Sequence, residues 1–372
     1  MSEYFYKKRG YAIPFMTASG QHPSVDEEAL KHLQSQGALE AGLLLSHRKL
    51  NLLRGTYAAG MLRHIRPDGR IHPNVKLDGA RSGRTSCTDP NLQNIPRAGD
   101  SEAGRMIRRC FVAPPGYVLL ESDYSQLELR IAAMLSGDPD MKAVFQSGVD
   151  YHLRTAQLIS KLAWGIAPED VTGAHRSAAK TINFALLYGQ GDAACAAKIT
   201  AAAREKDPRA PAIRIDQVAK IREAILGKFK VLARWLEEQL TFARRYGHSR
   251  TWWDGKVGRS RPLWRIADQD DQMRSNAENA SQNTPIQGTA SDYCVASLAQ
   301  VVDWIDAERI PAKLIIPIHD SLTLEVREDY LAEAAYCVRE IMQGHYSDDV
   351  LLQVDQKVGP NWGDLEKYKE AA

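Results

Sequence analysis

The chain has 372 residues, 44% hydrophobic and 25% charged, the balance of an ordinary soluble globular protein with material for two or three domains or subdomains. Its formal net charge of +2 neither demands nor excludes a nucleic-acid partner, and no apolar stretch reaches transmembrane length. Cys87, Cys110, Cys195, Cys294 and Cys337 form no CxxC pair and the N-terminus MSEYFYKKRG has no apolar core, so zinc fingers, disulfide scaffolds and secretion are not indicated and a reducing cytoplasm fits.

In chain order, residues 24–64 read as helical, because SVDEEALKHL opens on Ser24 as a cap with acids in the first turn. Residues 66–100 are dense in turn formers and predict short strands mixed with loop. A strand, GYVLLESD (116–123), leads into a helix, SQLELRIAAMLSG (125–137). Residues 138–246 read as mostly helical, interrupted at Gly189-Gln190-Gly191 and at the Pro-containing stretch 207–211. From Arg244 to Arg265 seven basic residues face one acid, Asp254, with Trp252, Trp253 and Trp264 among them; a solvated basic face and a polyanion-binding surface both account for that. LIIPIHDSLTLEV reads as two strands joined at His319-Asp320, followed by a helix around 328–343 and a last strand near 350–357. The class is α+β, with no internal repeat.

The ordinary reading of His319-Asp320 is a hairpin turn, since Asp suits turns. A second feature adds to it: Asp123 also ends a strongly apolar strand. Two strand-end aspartates converging on one sheet repel unless a cation neutralises them, and hard divalent ions such as Mg²⁺ take one or two carboxylates together with substrate phosphates. Two such ions stabilise both oxygens of an in-line phosphoryl transfer. In HRSAAKTINFALLYGQG (175–191), Arg176, Lys180, Phe184 and Tyr188 recur every four residues and so form one stripe of a helix. Two cations make a core stripe a poor account, and two aromatics in line make a solvated one poor. A ligand with phosphates at one end and a flat base at the other accounts for all four, as a nucleoside triphosphate would. Ala178, Ile182 and Leu186 occupy other faces, available for packing.

On these residues the chain resembles the family A DNA polymerases, the group of bacterial DNA polymerase I and many phage replicases. DYSQLELR, RSAAKTINFALLYG and IHDSL are similar to the family's three polymerase motifs. GRTSCTDPNLQNIP (83–96), QNTPIQGTASD (282–292) and VGPNWGDLEK (358–367) also resemble it, in the same order, so the likeness covers about residue 20 to the C-terminus. GARSGRTS (79–86) is not a phosphate loop, because Arg84 stands where a Walker lysine is needed.

The resemblance implies a right-hand polymerase fold with an antiparallel-sheet palm, helical fingers and a truncated helical thumb. It places a partial thumb at 1–82, palm at 83–137 and 265–372, and fingers at 138–264. Asp123 and Asp320 would bind two Mg²⁺ ions, with the Tyr124 main-chain carbonyl as a further ligand. Arg176 and Lys180 would hold the triphosphate, and Lys180 would protonate the departing pyrophosphate. Glu128 and Tyr188 resemble the steric gate against the ribose 2′ position, and Phe184 resembles the variant that disfavours dideoxy terminators. Gln126 and His152 would lie near the incoming dNTP. Arg84, Asn283 and Gln287 match minor-groove contacts to primer–template DNA, where similar acceptors in every pair let geometry be tested without reading sequence. Asn91, Gln93, Asn94 and His319 complete the expected DNA-binding set.

The chain departs from the family pattern in three ways. Ser321 follows Asp320 where the family usually has Glu; single-subunit RNA polymerases share the palm and carry Ser, which makes an RNA-polymerase-like enzyme the alternative, opposed by Glu128 and the NLQNIP region. A degenerate primer–template-binding subunit is the non-enzyme alternative, opposed by the presence of Asp123, Asp320, Arg176, Lys180 and Tyr188. Asn279 stands where the family often has Arg, so one DNA contact is expected to be missing. The N-terminal part is short for a thumb and no exonuclease segment precedes it, so no proofreading is expected of this chain and a separate chain could supply both parts. The stretch 193–220 reads as a family-atypical insertion. The expected setting is the cytoplasm of a bacterium or phage-infected cell, with no membrane role.

Overall fold

The apolar run ending at Asp123 forms the strand Tyr117–Tyr124, the middle of an antiparallel five-stranded sheet in the computed structural model, which describes residues 1–17, 19–99, 101–206, 212–344 and 350–369. Across the sheet the order is Ala312–Ile318, Ser321–Arg327, Tyr117–Tyr124, Val354–Gly359 and Glu366–Lys367. The helices Thr289–Ala307 and Leu331–Gln343 bury Val301, Ala334, Val338 and Met342 together with Leu120, Leu322, Leu324 and Val326 of the strands. Each such leucine contributes about 2 kcal/mol by leaving water. The Tyr124 hydroxyl donates to the Met342 carbonyl at 2.5 Å and lies 2.7 Å from Ser297 Oγ, which ties the central strand to both helices.

By contact the chain divides into two units: Met1–Asn74 with Thr88–Ile107, and Val75–Cys87 with Arg108–Ala372. In the first, the stretch 24–64, expected to be helical, is helical in pieces: Glu27–Ser35 and Leu39–Leu52, then a π-helical turn Leu53–Ala58 and a last turn Ala59–Leu62. Gly37 at φ +90° makes the break, a conformation that costs a glycine little. The cap is Asp26 rather than Ser24: its side chain accepts from the Ala29 amide at 2.8 Å, while Ser24 Oγ accepts from the Asp26 amide. Leu30, Leu33, Ala38, Ala41 and Phe5 form this unit's small core. The turn-rich stretch 66–100 contains the paired short strands Asn74–Lys76 and Ser86–Thr88 and a 3₁₀ turn at Leu92–Asn94.

In the second unit the strand runs into the helix Leu127–Ser136, whose residues Leu127 to Met134 are all buried. Helices Tyr151–Trp164, Gly173–Leu187, Asp192–Lys206, Ile215–Lys228 and Lys230–Tyr246 follow. The expected interruption at 189–191 is there: Gly189 takes φ +62°, and a Cβ on it would stand 2.8 Å from Asn279 Oδ1 and 3.3 Å from Asn279 Cα, so only glycine lets the chain turn against that helix. The break expected at 207–211 lies outside the described residues. Around it, Cys195, Ala196, Ile199, Val218 and Ile221 are buried in the main core.

The basic stretch forms a two-stranded ribbon, His248–Trp253 with Lys256–Pro262. It docks on the segment Thr284–Gly288, a π-helical turn at Pro285 between helices Asp271–Asn283 and Thr289–Ala307. Proline lacks the N–H that a regular turn would use. A Cβ on Gly288 would stand 2.5 Å from Thr251 Cγ2, so this contact requires glycine. Six of the seven cations are engaged within the protein: Arg244 with Glu278, Arg259 with Asp292, Arg265 with Asp268, Arg261 with the Thr284 hydroxyl at 3.0 Å, Arg250 over the Phe242 ring at 4.1 Å and Arg245 over the Tyr246 ring at 5.3 Å. The C-terminal motif is also structural, since Trp362 Nε1 donates to Glu121 on the central strand and Asn361 Oδ1 caps the Gly363 and Asp364 amides.

Candidate active site

The His-Asp pair is a two-residue hairpin, with Ile318 paired to Ser321. His319 takes φ +53°, the left-handed conformation that such loops require and that His tolerates better than most side chains. Two hydrogen bonds fix the turn. Ser321 Oγ donates to the Ile318 carbonyl at 3.0 Å, and the Tyr124 amide donates to the Asp320 carbonyl at 3.1 Å. The second bond joins the residue after Asp123 to Asp320, so the two aspartates share one sheet end. Asp123 lies directly opposite Ser321 on one side and Asp355 on the other. Directly opposed residues of an antiparallel pair share a face, and like charges there repel. Asp123 is exposed and Asp320 partly so, while the Tyr124 phenol turns the other way into the core.

A few residues on, a third carboxylate has a different setting. Glu128 is 4% exposed on the helix Leu127–Ser136. Arg84 Nη2 donates to its Oε1 at 2.6 Å, the Tyr188 hydroxyl donates to its Oε2, and the Gln287 side chain bonds it as well. Burial raises the Glu128 pKa and Asp320 adds to that, while Tyr188, Arg84 and Gln287 oppose it without cancelling it. Burial and the Glu128 charge together push the Tyr188 phenol upward too, so it stays a donor.

The cation–aromatic stripe lies along Gly173–Leu187 with Tyr188 closing the helix. Lys180 is exposed and makes no ion pair with a described residue, whereas Arg176 is bound to Asp150 through Nε at 2.9 Å and Nη2 at 2.7 Å. The rings of Phe184 and Tyr188 are 5.7 Å apart, and Ile182 and Leu186 are buried on other faces as their spacing required. His152, expected beside a nucleotide, is only 2% exposed and lies behind Phe184 at 5.8 Å. Asn183 Nδ2 lies 3.1 Å from its Nδ1. Burial, assisted by Arg176 and Lys180, lowers the His152 pKa to about 4, so the ring is neutral at pH 7.

Gln126 sits at the strand-to-helix turn with φ +55°; its Nε2 reaches Asp150 at 3.3 Å, and its buried Oε1 has no hydrogen-bond partner. Asn283 Oδ1 is likewise buried without a partner. Asn91, Gln93 and Asn94 belong to the other unit, where Asn94's carbonyl accepts from Tyr57. Sequence patterns did not single out Asp150 or Asp355. The first reads only as a helix cap and the second only as an alternating strand residue; pairing register and side-chain contacts give them their neighbours.

Among the described residues no group of three or more His, Cys, Asp or Glu is arranged to hold a metal. The donors at the sheet end are carboxylates and main-chain carbonyls, all hard oxygens, and the crowding of Asp123 by Asp355 favours a positive charge nearby. That chemistry fits Mg²⁺ and not a tetrahedral nitrogen–sulfur site.

A family model described as DNA polymerase family A matches residues 1–364. The chain is 35% identical over 358 residues to DNA polymerase I of Pseudomonas aeruginosa, covering 96% of this chain and 37% of that protein. It is 35% identical over 347 residues to the thermostable DNA polymerase I of Thermus filiformis, covering 90% and 38%. Among solved structures it is similar to the POL domain of Pol1 from M. smegmatis in complex with DNA primer-template and dNTP, with a TM-score of 0.84, 30% identity, and coverage of 97% of this chain and 60% of that one. The α+β right-hand polymerase fold is thus the fold of this chain, which spans a little over a third of the length of these two relatives.

Proposed function

Because the chain belongs to DNA polymerase family A, we propose that it adds dNTPs to a primer 3′-OH under the direction of a DNA template. The observation that carries this reading is the pairing of Asp123 with the Asp320 turn at one sheet end, in the same unit as the Arg176–Lys180–Phe184–Tyr188 stripe. In this reading 1–82 is a partial thumb, 83–137 and 265–372 form the palm, and 138–264 form the fingers.

Asp123, Asp320 and the Tyr124 carbonyl would hold two Mg²⁺ ions. When bound, these supply charge neutralisation for the phosphates and acidify the attacking hydroxyl. Arg176 and Lys180 hold the triphosphate, and Lys180 donates a proton to the departing pyrophosphate oxygen. Phe184 and Tyr188 pack against base and sugar. The hydrogen bond from Tyr188 to Glu128 closes the space at the ribose 2′ position, which favours deoxynucleotides. His152 acts through the Phe184 ring rather than on the nucleotide, in keeping with its burial. Gln126 lies near the nucleotide, with its Nε2 held by Asp150. Arg84, Asn283, Gln287 and His319 line primer–template at the new base pair, while Asn91, Gln93 and Asn94 hold template backbone. Arg84 and Gln287 reach the same Glu128 that supports the gate, which links minor-groove geometry to nucleotide selection. Most of the rate would come from positioning and electrostatics, as in phosphoryl transfer generally.

Extension of a labelled primer on a defined template, with Mg²⁺ and either dNTPs or NTPs, tests the reading. Templated extension with dNTPs is expected. Extension with NTPs alone would turn the assignment to RNA synthesis, and primer–template binding without extension would leave a binding subunit.

A further inference from the structure

Asp150 lies outside the motifs, yet four donors from three elements converge on its carboxylate. Oδ1 accepts from the Leu153 amide at 2.7 Å and from Arg176 Nε at 2.9 Å; Oδ2 accepts from Arg176 Nη2 at 2.7 Å and from Gln126 Nε2 at 3.3 Å. Burial works against the charge, but Arg176 and the Leu153 amide outweigh it and hold the carboxyl below its ordinary range. A helix cap alone does not require this residue, since Ser or Asn caps as well as Asp. The charge and the fork geometry serve Arg176 and Gln126.

The consequence for Arg176 follows from counting donors. A guanidinium carries five N–H groups, and Asp150 takes one on Nε and one on Nη2, so three remain for another anion. The side chain is 42% exposed, accessible and held in one plane. Gln126 is constrained in the same way: Nε2 is committed to Asp150, which fixes the amide's orientation and leaves its buried Oε1 as the acceptor without a hydrogen-bond partner. We propose that Asp150 is a positioning residue of the nucleotide site, setting the Arg176 guanidinium and the Gln126 amide before a dNTP arrives. This rests on the reading that Arg176 holds the triphosphate. Ordering a long side chain in advance removes that cost from binding, so the effect belongs in KM for dNTP and not in the chemical step.

The test is the steady-state KM and kcat for dNTP of Asp150→Ser, Asp150→Asn, Arg176→Ala and the double variant Asp150→Ser/Arg176→Ala, with thermal melting as a folding control. Both Asp150 variants keep a capping group, so either reads the clamp if the other is unstable. The expected result is a KM raised about three- to tenfold with kcat within about twofold, and no further rise when Asp150→Ser is added to Arg176→Ala. A KM that is unchanged or lowered in the Asp150 variants overturns the proposal, the lowered value meaning that Asp150 competes with the triphosphate. An equal rise in both backgrounds overturns it as well, since that is a structural effect. Arg176→Ala with normal KM would sink the triphosphate reading itself, whatever Asp150 does.

Discussion

Asp123 and Asp320 on one side, and Glu128 on the other, are the same chemistry in opposite settings. The two aspartates stand at a sheet end where a strand and a hairpin stop, Asp123 exposed and Asp320 partly so, with another carboxylate, Asp355, in register beside Asp123. Glu128 is enclosed, and its carboxylate is engaged by Arg84, Tyr188 and Gln287. An open carboxylate can take a cation and a phosphate; an enclosed one holds neighbouring side chains in shape. The roles proposed above, catalysis for the first pair and selection for the second residue, accord with that contrast.

The contrast breaks most decisively at the sheet end. Asp320→Ala should lower single-turnover primer extension by ~10³-fold or more, since metal-assisted charge stabilisation is worth several kcal/mol, while anisotropy shows primer–template binding within about threefold of wild type. A near-normal rate would remove the two-aspartate assignment. Lys180→Ala should cost ~10²-fold or more in the same assay, the range of a general acid; retention of full rate would shift the proton donor elsewhere.

At the enclosed residue the loss should be of discrimination, not of turnover. Glu128→Ala is expected to narrow dNTP-over-NTP selectivity by about 10- to 100-fold, the range over which a pocket can reject one hydroxyl. Unchanged selectivity in competition assays would detach Glu128 from the gate.

His152 offers a pH signature. Its folded pKa of about 4 lies below the unfolded value near 6.5, so between these limits the unfolded chain binds the extra proton. Stability therefore rises with pH across this window and falls as pH drops from about 6.5 toward 4, by at most ~1.4 kcal/mol per unit. Urea midpoints measured across the window should show a slope that His152→Gln reduces; identical slopes would place the protonation elsewhere. The smallest effect is expected at Ser321, where Ala removes the bond to the Ile318 carbonyl and should cost about 1 kcal/mol with little change in rate. A large rate loss there would make the hydroxyl part of the chemistry.

The strands and most helices of the second unit were legible because their patterns are local: apolar runs of strand length, a four-residue stripe, glycines at a break. The hairpin at His319-Asp320 was legible for the same reason. The first unit was less so, because the divisions at Gly37 and at a π-helical turn are not marked in a stretch that reads only as helical. At the site, residue types and spacing indicated Asp123, Asp320 and the stripe. They did not indicate that His152 is buried, because only the packing of Tyr151–Trp164 against Gly173–Leu187 turns its ring behind Phe184. Nor could they indicate Asp150, whose role depends on a partner 26 positions away.

The central claim is that the sheet end is open to cations and the Glu128 site is not. Mn²⁺ binding in the presence of primer–template, followed by electron paramagnetic resonance, compares wild type with Asp320→Asn and Glu128→Gln. The account predicts that Asp320→Asn loses the bound-Mn²⁺ signal while Glu128→Gln keeps it. Equal loss in both, or an unaltered signal in Asp320→Asn, would contradict it.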